Sequence, residues 1–290
     1  MKAWLELMRA ALGPTVVWDF VVGILLAGIS WHDGLWWALT SLVLIYFAGM
    51  ILNDWRDRPL DAEVGRTRPL VDGRIQPNTA LAIVVLMFGG AYVCALRSGP
   101  HLGDFALWLI FIVVLYDMIG AQLRKHLGPA LLGAARAFSI CFGVIATVGA
   151  DQLRETMGIA APLCYALYFV FLSRLAQREE YGVRGLNGLA YIVMAAASPA
   201  LLTQFATPTW LFYPGWLAVA ALLLVPAWPH RHSFWEPKQV QIMVRRSLSL
   251  APLIPGLCLL ASPNQQTQLY APIALLVCVL VGRLVRSYST

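Results

Sequence analysis

Ten apolar runs, each near the length of a bilayer crossing, leave few folds open to this chain. A helix needs about 20 mostly apolar residues to cross the hydrocarbon core. The runs fall near 14–31, 35–52, 78–97, 104–121, 128–149, 159–176, 187–205, 210–227, 240–261 and 269–286. The expected fold class is all-α: a polytopic membrane bundle of nine to ten transmembrane helices, forming one domain over residues 1–290. The choice between nine and ten rests on the ninth run. Pro252 and Pro255 interrupt it, and Arg245 and Arg246 lie near its start. Composition agrees, with 59% hydrophobic and 12% charged residues, against roughly 45–50% and about 25% in soluble domains.

Residues 1–13 carry Trp4, Leu5, Met8, Ala11 and Leu12 on one helical face and Lys2, Glu6 and Arg9 opposite. That pattern predicts an amphipathic helix lying in the membrane interface, without a secretory cleavage site. With the N-terminus inside, one side receives Lys2, Arg9, the arginines of 56–74, Arg124 and Lys125. It also receives Arg174, Arg178, Arg184, Arg231, Lys238, Arg245, Arg246, Arg283 and Arg286. The other side receives Arg97 and Arg154. This is a positive-inside pattern, and it explains the net charge of +6 without nucleic acid as a partner. The expected location is a bacterial inner membrane, with the polar motifs facing the cytoplasm. Trp31, Trp36, Trp37, Trp210 and Trp228 cluster near span ends, as an aromatic belt does. Five cysteines lie in apolar segments without metal-ligand spacing and read as small buried hydrophobes.

The polar chemistry gathers at the exit of the second run, at Asn53-Asp54-Trp55-Arg56-Asp57-Arg58-Pro59-Leu60-Asp61. Spacings of three and four put Asp54, Asp57 and Asp61 on one helical face, although Pro59 is expected to interrupt a regular helix. Three carboxylates with the Asn53 amide suit Mg²⁺, a hard ion that shares its oxygen ligands with phosphates. Arginines follow at once, and Arg66 and Arg68 can grip phosphate oxygens bidentately. Acid for a metal beside base for an anion is what an Mg²⁺-diphosphate substrate needs.

Other candidates lie further along. Tyr116-Asp117 precedes Arg124 and Lys125, then Gly128, Gly133, Arg136 and Gly143. Asp117 and Arg136 fall within apolar segments, where ionisable groups signal function or pair with one another. Asp19 in the first run raises the same question, with a polar lock as the plainer reading. A charged segment after the sixth run, Ser173-Arg174 to Glu179-Glu180, offers further carboxylates and arginines, including Arg178, on the same face. A weak internal symmetry relates this segment to the one after the second run. His230 and His232 lack a third ligand and read as loop.

These motifs resemble those of the UbiA superfamily of intramembrane prenyltransferases. The family pattern N-D-x-x-D-x-x-x-D is present in full at Asn53, Asp54, Asp57 and Asp61. The trailing R-T-x-R-P-L reads as Arg66-Thr67-Arg68-Pro69-Leu70. The second family motif departs: where aspartates are usual, this chain has Ser173-Arg174 and Glu179-Glu180. That form, with Arg9…Thr15…Asp19…Gly23 and Tyr116-Asp117, looks closer to the EboC-type branch, found in gene clusters for small secondary metabolites. Ten spans would exceed the nine usual in the family.

The resemblance implies an Mg²⁺-dependent transfer of an isoprenoid group from an allylic diphosphate to a small acceptor. Asn53, Asp54, Asp57 and Asp61 would bind the metal, and Glu179 or Glu180 would hold a second ion. Alternatively, Arg174 and Arg178 would replace that ion's charge. Arg66, Arg68, Lys125 and Arg136 would neutralise diphosphate oxygens, and Tyr116, beside Asp117, would shield the prenyl cation. The expected partners are the lipid bilayer, the isoprenoid diphosphate and an unidentified acceptor. Two other readings stand: a transporter or carrier of a polar metabolite, which intramembrane Asp19, Asp117 and Arg136 would suit, and a non-catalytic scaffold of the same fold.

Overall fold

The computed structural model describes residues 2–28, 31–150, 153 and 156–288; Arg154 lies outside them. The chain is helical almost throughout. In lipid, helices are one of two ways to satisfy every backbone N–H and C=O. Among the described residues, eight helical stretches are long and apolar enough to span a membrane, and two shorter apolar ones, Ala10–Leu26 and Phe212–Leu224, bring the apolar segments to the ten expected. The protein is a multi-pass membrane bundle.

The interfacial helix differs from its expected single stretch. Helix α1 (Lys2–Leu7) and a 3₁₀ turn (Ala10–Leu12) are separated by Arg9, whose φ of 48° is left-handed. That conformation is unfavourable for a residue with a Cβ, and it turns the Arg9 side chain inward. Leu7, fully buried, packs with Ile51, Leu52 and Ile75. Helix α2 (Gly13–Leu26) then enters the bundle.

Helix α3 (Gly34–Glu63) has 30 residues and runs through Pro59. The expected interruption is absent. Proline removes one N–H from the ladder, but the chain closes the last turn beyond it, with Val64 N–H on Leu60 O and Arg66 N–H on Asp61 O. At 1.5 Å per residue α3 is about 45 Å long, more than the roughly 30 Å hydrocarbon core. Its acidic end therefore projects past the apolar layer. Gly65 and Gly73 take positive φ, and the loop they shape folds back before α4 (Pro77–Ser98).

Helices α5 (Pro100–Met118), α6 (Ala121–Val148) and α7 (Thr156–Ala176) complete the half that carries the polar motifs. α2 lies against α6 at two glycines. A Cβ on Gly23 would sit 2.2 Å from Ile140 O, and one on Gly143 2.2 Å from Phe20 O.

The seventh expected span is α8 (Gly185–Ala197), a 3₁₀ turn around Pro199 and α9 (Leu202–Phe205). Helix α10 (Phe212–Leu224) follows. The ninth span breaks where the prolines suggested, into α11 (Pro237–Leu250) and α12 (Leu253–Ala261). Helices α13 (Gln265–Gln268) and α14 (Ile273–Tyr288) close the chain.

Two short strands, β1 (Val183–Arg184) and β2 (Phe234–Trp235), pair antiparallel and tie the α7–α8 loop to the α10–α11 loop. Buried Trp235 donates Nε1–H to His230 O at 2.8 Å, so His230 serves the loop. Large apolar side chains such as Leu86, Trp108, Phe111 and Leu276 are exposed, as lipid-facing residues are. Trp31, Trp36, Trp210 and Trp228 are also exposed.

Candidate active site

The acidic end of α3 presents Asp54, Asp57 and Asp61 on one face, and each meets a guanidinium. Asp54 and Asp61 are buried, at 5% and 1% exposure, while Asp57 is more open. Arg68, on the loop after α3, bridges the two buried carboxylates: Nη1 bonds Asp54 Oδ1, and Nε lies 3.2 Å from Asp61 Oδ2. Arg66 donates to Asp61 Oδ1 at 3.0 Å and to Glu180 at 2.9 Å. Arg124 of α6 donates to Asp57 at 2.8 Å. Arg9 donates to Asp54 Oδ1 at 2.8 Å and reaches Asn53 Oδ1 at 3.4 Å. The polar segments after the second and sixth spans therefore meet, through Arg66 and Glu180. Outside this layer, Arg74 holds α1 to the loop through Glu6 at 2.7 Å and Asp72 at 2.8 Å.

Asn53 donates its amide to Asp117 of α5 at 3.0 Å. Tyr116 precedes Asp117 and lies within electrostatic reach of Asp57, Arg124 and Arg9; a Cβ on Gly128 would meet its ring at 3.4 Å. The alternative reading, an Asp117–Arg136 pair, is not what forms. Arg136 pairs with Asp19 instead, at 3.2 Å, deeper in the bundle and away from the α3 acids. The polar-lock reading of Asp19 thus describes a pair, with Arg136 as its partner.

The remaining expected residues divide. Lys125 is exposed, and Arg124 is the one that pairs with Asp57. Arg174 donates to the backbone carbonyls of Lys125 and His126 at 3.0 and 3.1 Å, and Gln177 also donates to Lys125 O. The reason lies in Pro129: it has no N–H, so the Lys125 carbonyl loses its partner one turn on, and Arg174 supplies one. Arg178 is exposed on the same segment. Burial pushes the Glu179 carboxyl above its ordinary range, against the opposing pull of Arg245, Arg66 and Arg9 nearby.

Asn53, Asp54, Asp57 and Asp61 are hard oxygen donors of the kind Mg²⁺ takes. Among the described residues, no three acid, His or Cys side chains gather as one metal site; guanidiniums hold the carboxylates instead. The donor chemistry itself fits the ion. Sequence reasoning had Arg9 only as part of an interfacial face and of a resemblance. Its pairing with Asp54 depends on the left-handed turn, which the sequence does not signal.

The fold and this face define a helical membrane protein with a layer of paired carboxylates and guanidiniums at one end of its bundle. Residues 16–250 match the profile of the UbiA prenyltransferase family, and the chain belongs to that family. It is 27% identical to the 4-hydroxybenzoate octaprenyltransferase of Azotobacter vinelandii over 164 residues, 56% of this chain and 55% of that one. It is 28% identical to the protein of the same description from Methylobacillus flagellatus over 233 residues, 72% and 75% of the two chains. The match to the first relative thus spans about half of that relative's length. A solved structure described as the apo structure of a UbiA homolog from Aeropyrum pernix K1 superposes with a TM-score of 0.64 at 16% identity, covering 87% of this chain and 97% of that one. At that identity the likeness concerns the fold.

Proposed function

We propose that this chain is an Mg²⁺-dependent intramembrane prenyltransferase, taking an allylic isoprenoid diphosphate at the acidic end of α3 and passing the isoprenoid to a small acceptor. The observation that carries the reading is the sharing of Asp54 and Asp61 by partly exposed guanidiniums. Arg9, Arg66 and Arg68 are each 26–40% exposed, whereas their carboxylate partners are almost wholly buried. The acids sit inside and the bases reach them from the exposed side, where an incoming anion can compete for them.

When diphosphate enters, Arg66, Arg68 and Arg124 turn from carboxylate to phosphate oxygens, and Asn53, Asp54, Asp57 and Asp61 become available to the cation. A cation held by those residues would neutralise the charge that develops on the leaving diphosphate. The guanidiniums add to that neutralisation, and aimed donors of this kind contribute most where water is excluded. The bond between allylic C1 and the diphosphate oxygen breaks, its electron pair leaving with the diphosphate. C1 bonds to the acceptor, whose displaced proton leaves with the diphosphate. Tyr116, beside this layer, shields the cationic C1. Glu180, through Arg66, and Glu179 occupy the place of the second family motif, and the charge of arginines there substitutes for an acid-bound second ion. This altered motif supports placement near the EboC-like branch and a role in secondary-metabolite synthesis. The concentration of basic residues at this end supports a cytoplasm-facing site in a bacterial inner membrane.

Thermal stabilisation of the purified protein in detergent tests the reading, with geranyl and longer prenyl diphosphates, each with Mg²⁺ or EDTA. A metal-dependent rise that Asp57→Ala abolishes is expected. No rise with any donor would return the transporter and scaffold readings.

A further inference from the structure

A second polar cluster lies deeper in the bundle, and the diphosphate chemistry does not use it. Thr15 and Asp19 of α2, Tyr46 of α3, Arg136 and Ser139 of α6 and Tyr165 of α7 form it. Arg136 Nη1 is 3.2 Å from Asp19 Oδ2. Its Nη2 donates to Thr15 Oγ1 at 2.8 Å and to Tyr165 OH at 3.2 Å. The guanidinium lies over the Phe169 ring, 4.7 Å from its centre. Ser139 donates to Asp19 Oδ2 at 2.8 Å.

Three buried polar atoms in this cluster lack a well-formed hydrogen bond among the described residues: Asp19 Oδ1, toward which the Tyr165 hydroxyl makes at best a loose bond, the Tyr46 hydroxyl and Arg136 Nε. Asp19 is fully buried. Native proteins pair nearly all such atoms, because an unpaired one is destabilising. Two in one ion pair, with a third close by, mark a place where something else bonds.

Position supports this. Tyr46 lies two turns before Asn53 on the same face of α3, about 10 Å deeper along the axis. On α6, Arg136 lies about 18 Å beyond Arg124, so both helices put the second cluster below the diphosphate layer. The Tyr46 hydroxyl is within electrostatic reach of Arg9 above it and of Arg136 and Asp19. One turn past Asp19, the contact of Gly23 with the α6 backbone closes α2 onto α6. The helices are closed together on that side, and on the other Tyr46 stands between the cluster and Arg9 of the diphosphate layer.

We propose that this cluster is the acceptor subsite and that it selects a neutral, hydroxyl-bearing acceptor over an anionic one, an inference that rests on the prenyl-transfer reading above. A hydroxyl group donates to Asp19 Oδ1 while it accepts from Arg136 Nε or Tyr46. A carboxylate finds Arg136 already neutralised and is repelled by Asp19.

The test uses purified protein in detergent, first titrated with geranyl diphosphate and Mg²⁺. The donor-loaded protein is then titrated with 4-hydroxybenzyl alcohol and 4-hydroxybenzoate, two rings of one shape that differ in charge. The alcohol is expected to bind at least about tenfold tighter, a difference of about 1.4 kcal/mol. Asp19→Asn should erase or reverse that preference while donor affinity holds. Tyr46→Phe, which removes one hydroxyl and keeps the ring, should weaken the alcohol several-fold and serves if the Asp19 variant does not fold. Preference for the benzoate, binding of neither probe, or a ratio unmoved by both variants overturns the assignment. Failure of geranyl diphosphate itself to bind is a separate result: it removes the prenyl-transfer reading, and the acceptor assignment falls with it.

Discussion

The bundle holds two charged layers, and they are built oppositely. At the end of α3, buried Asp54 and Asp61 face arginines that are a quarter to two-fifths exposed. Deeper in, Arg136 is itself only 12% exposed and Asp19 not at all. The upper arginines arrive on loops and on the α1 turn; the lower pair is fixed on packed helices. The upper arginines are placed to exchange partners, whereas the lower pair is locked in the packing. Removing one partner should therefore cost stability mainly in the lower layer and diphosphate affinity mainly in the upper.

Arg136→Met breaks this comparison most severely. It leaves the Asp19 carboxylate buried and alone, a loss of about 3–5 kcal/mol, visible as a large fall in unfolding temperature without any ligand. Gly143→Val should follow, at about 1–3 kcal/mol, because its Cβ would meet the Phe20 carbonyl. An unfolding temperature unchanged in both variants would deny that this layer is fixed.

Arg68→Ala should behave differently. Arg9 still covers Asp54 and Arg66 still covers Asp61, so stability should fall by only about 1 kcal/mol, while prenyl diphosphate affinity drops about tenfold or more. Glu180→Gln removes an exposed pair with Arg66 and should cost about 0–1 kcal/mol.

Glu179→Gln sharpens the picture by pH. Stability from a carboxyl raised by burial is present below its unfolded pKa and is lost as pH rises through the folded value. The variant should therefore gain slightly on wild type as pH increases across that window in unfolding experiments. An opposite slope would mean that the carboxylate form is the favoured one.

The sequence disclosed the bundle and the acidic face because both depend on local periodicity. Runs of spanning length gave the ten apolar segments, and the i, i+3, i+4 rule placed Asp54, Asp57 and Asp61 together. Pro59 misled because its effect depends on how the chain closes beyond it. Partners across the bundle were not legible. Arg136 could as well have met Asp117 as Asp19, and only the close approach of α2 to α6 at Gly23 and Gly143 decides it. Arg174 was read as a charge standing in for a second ion because nothing local shows that Pro129 strands the Lys125 carbonyl one helix away.

The most direct measurement is titration of the purified protein with geranyl diphosphate, with Mg²⁺ and with EDTA, for wild type and Asp54→Ala. The exchange of guanidiniums from carboxylate to phosphate predicts tight binding only with Mg²⁺, and its loss in the variant, together with prenyl-transfer activity lower by about 10²-fold or more. Equal binding in EDTA, or an Asp54→Ala protein that binds and turns over like wild type, would contradict it.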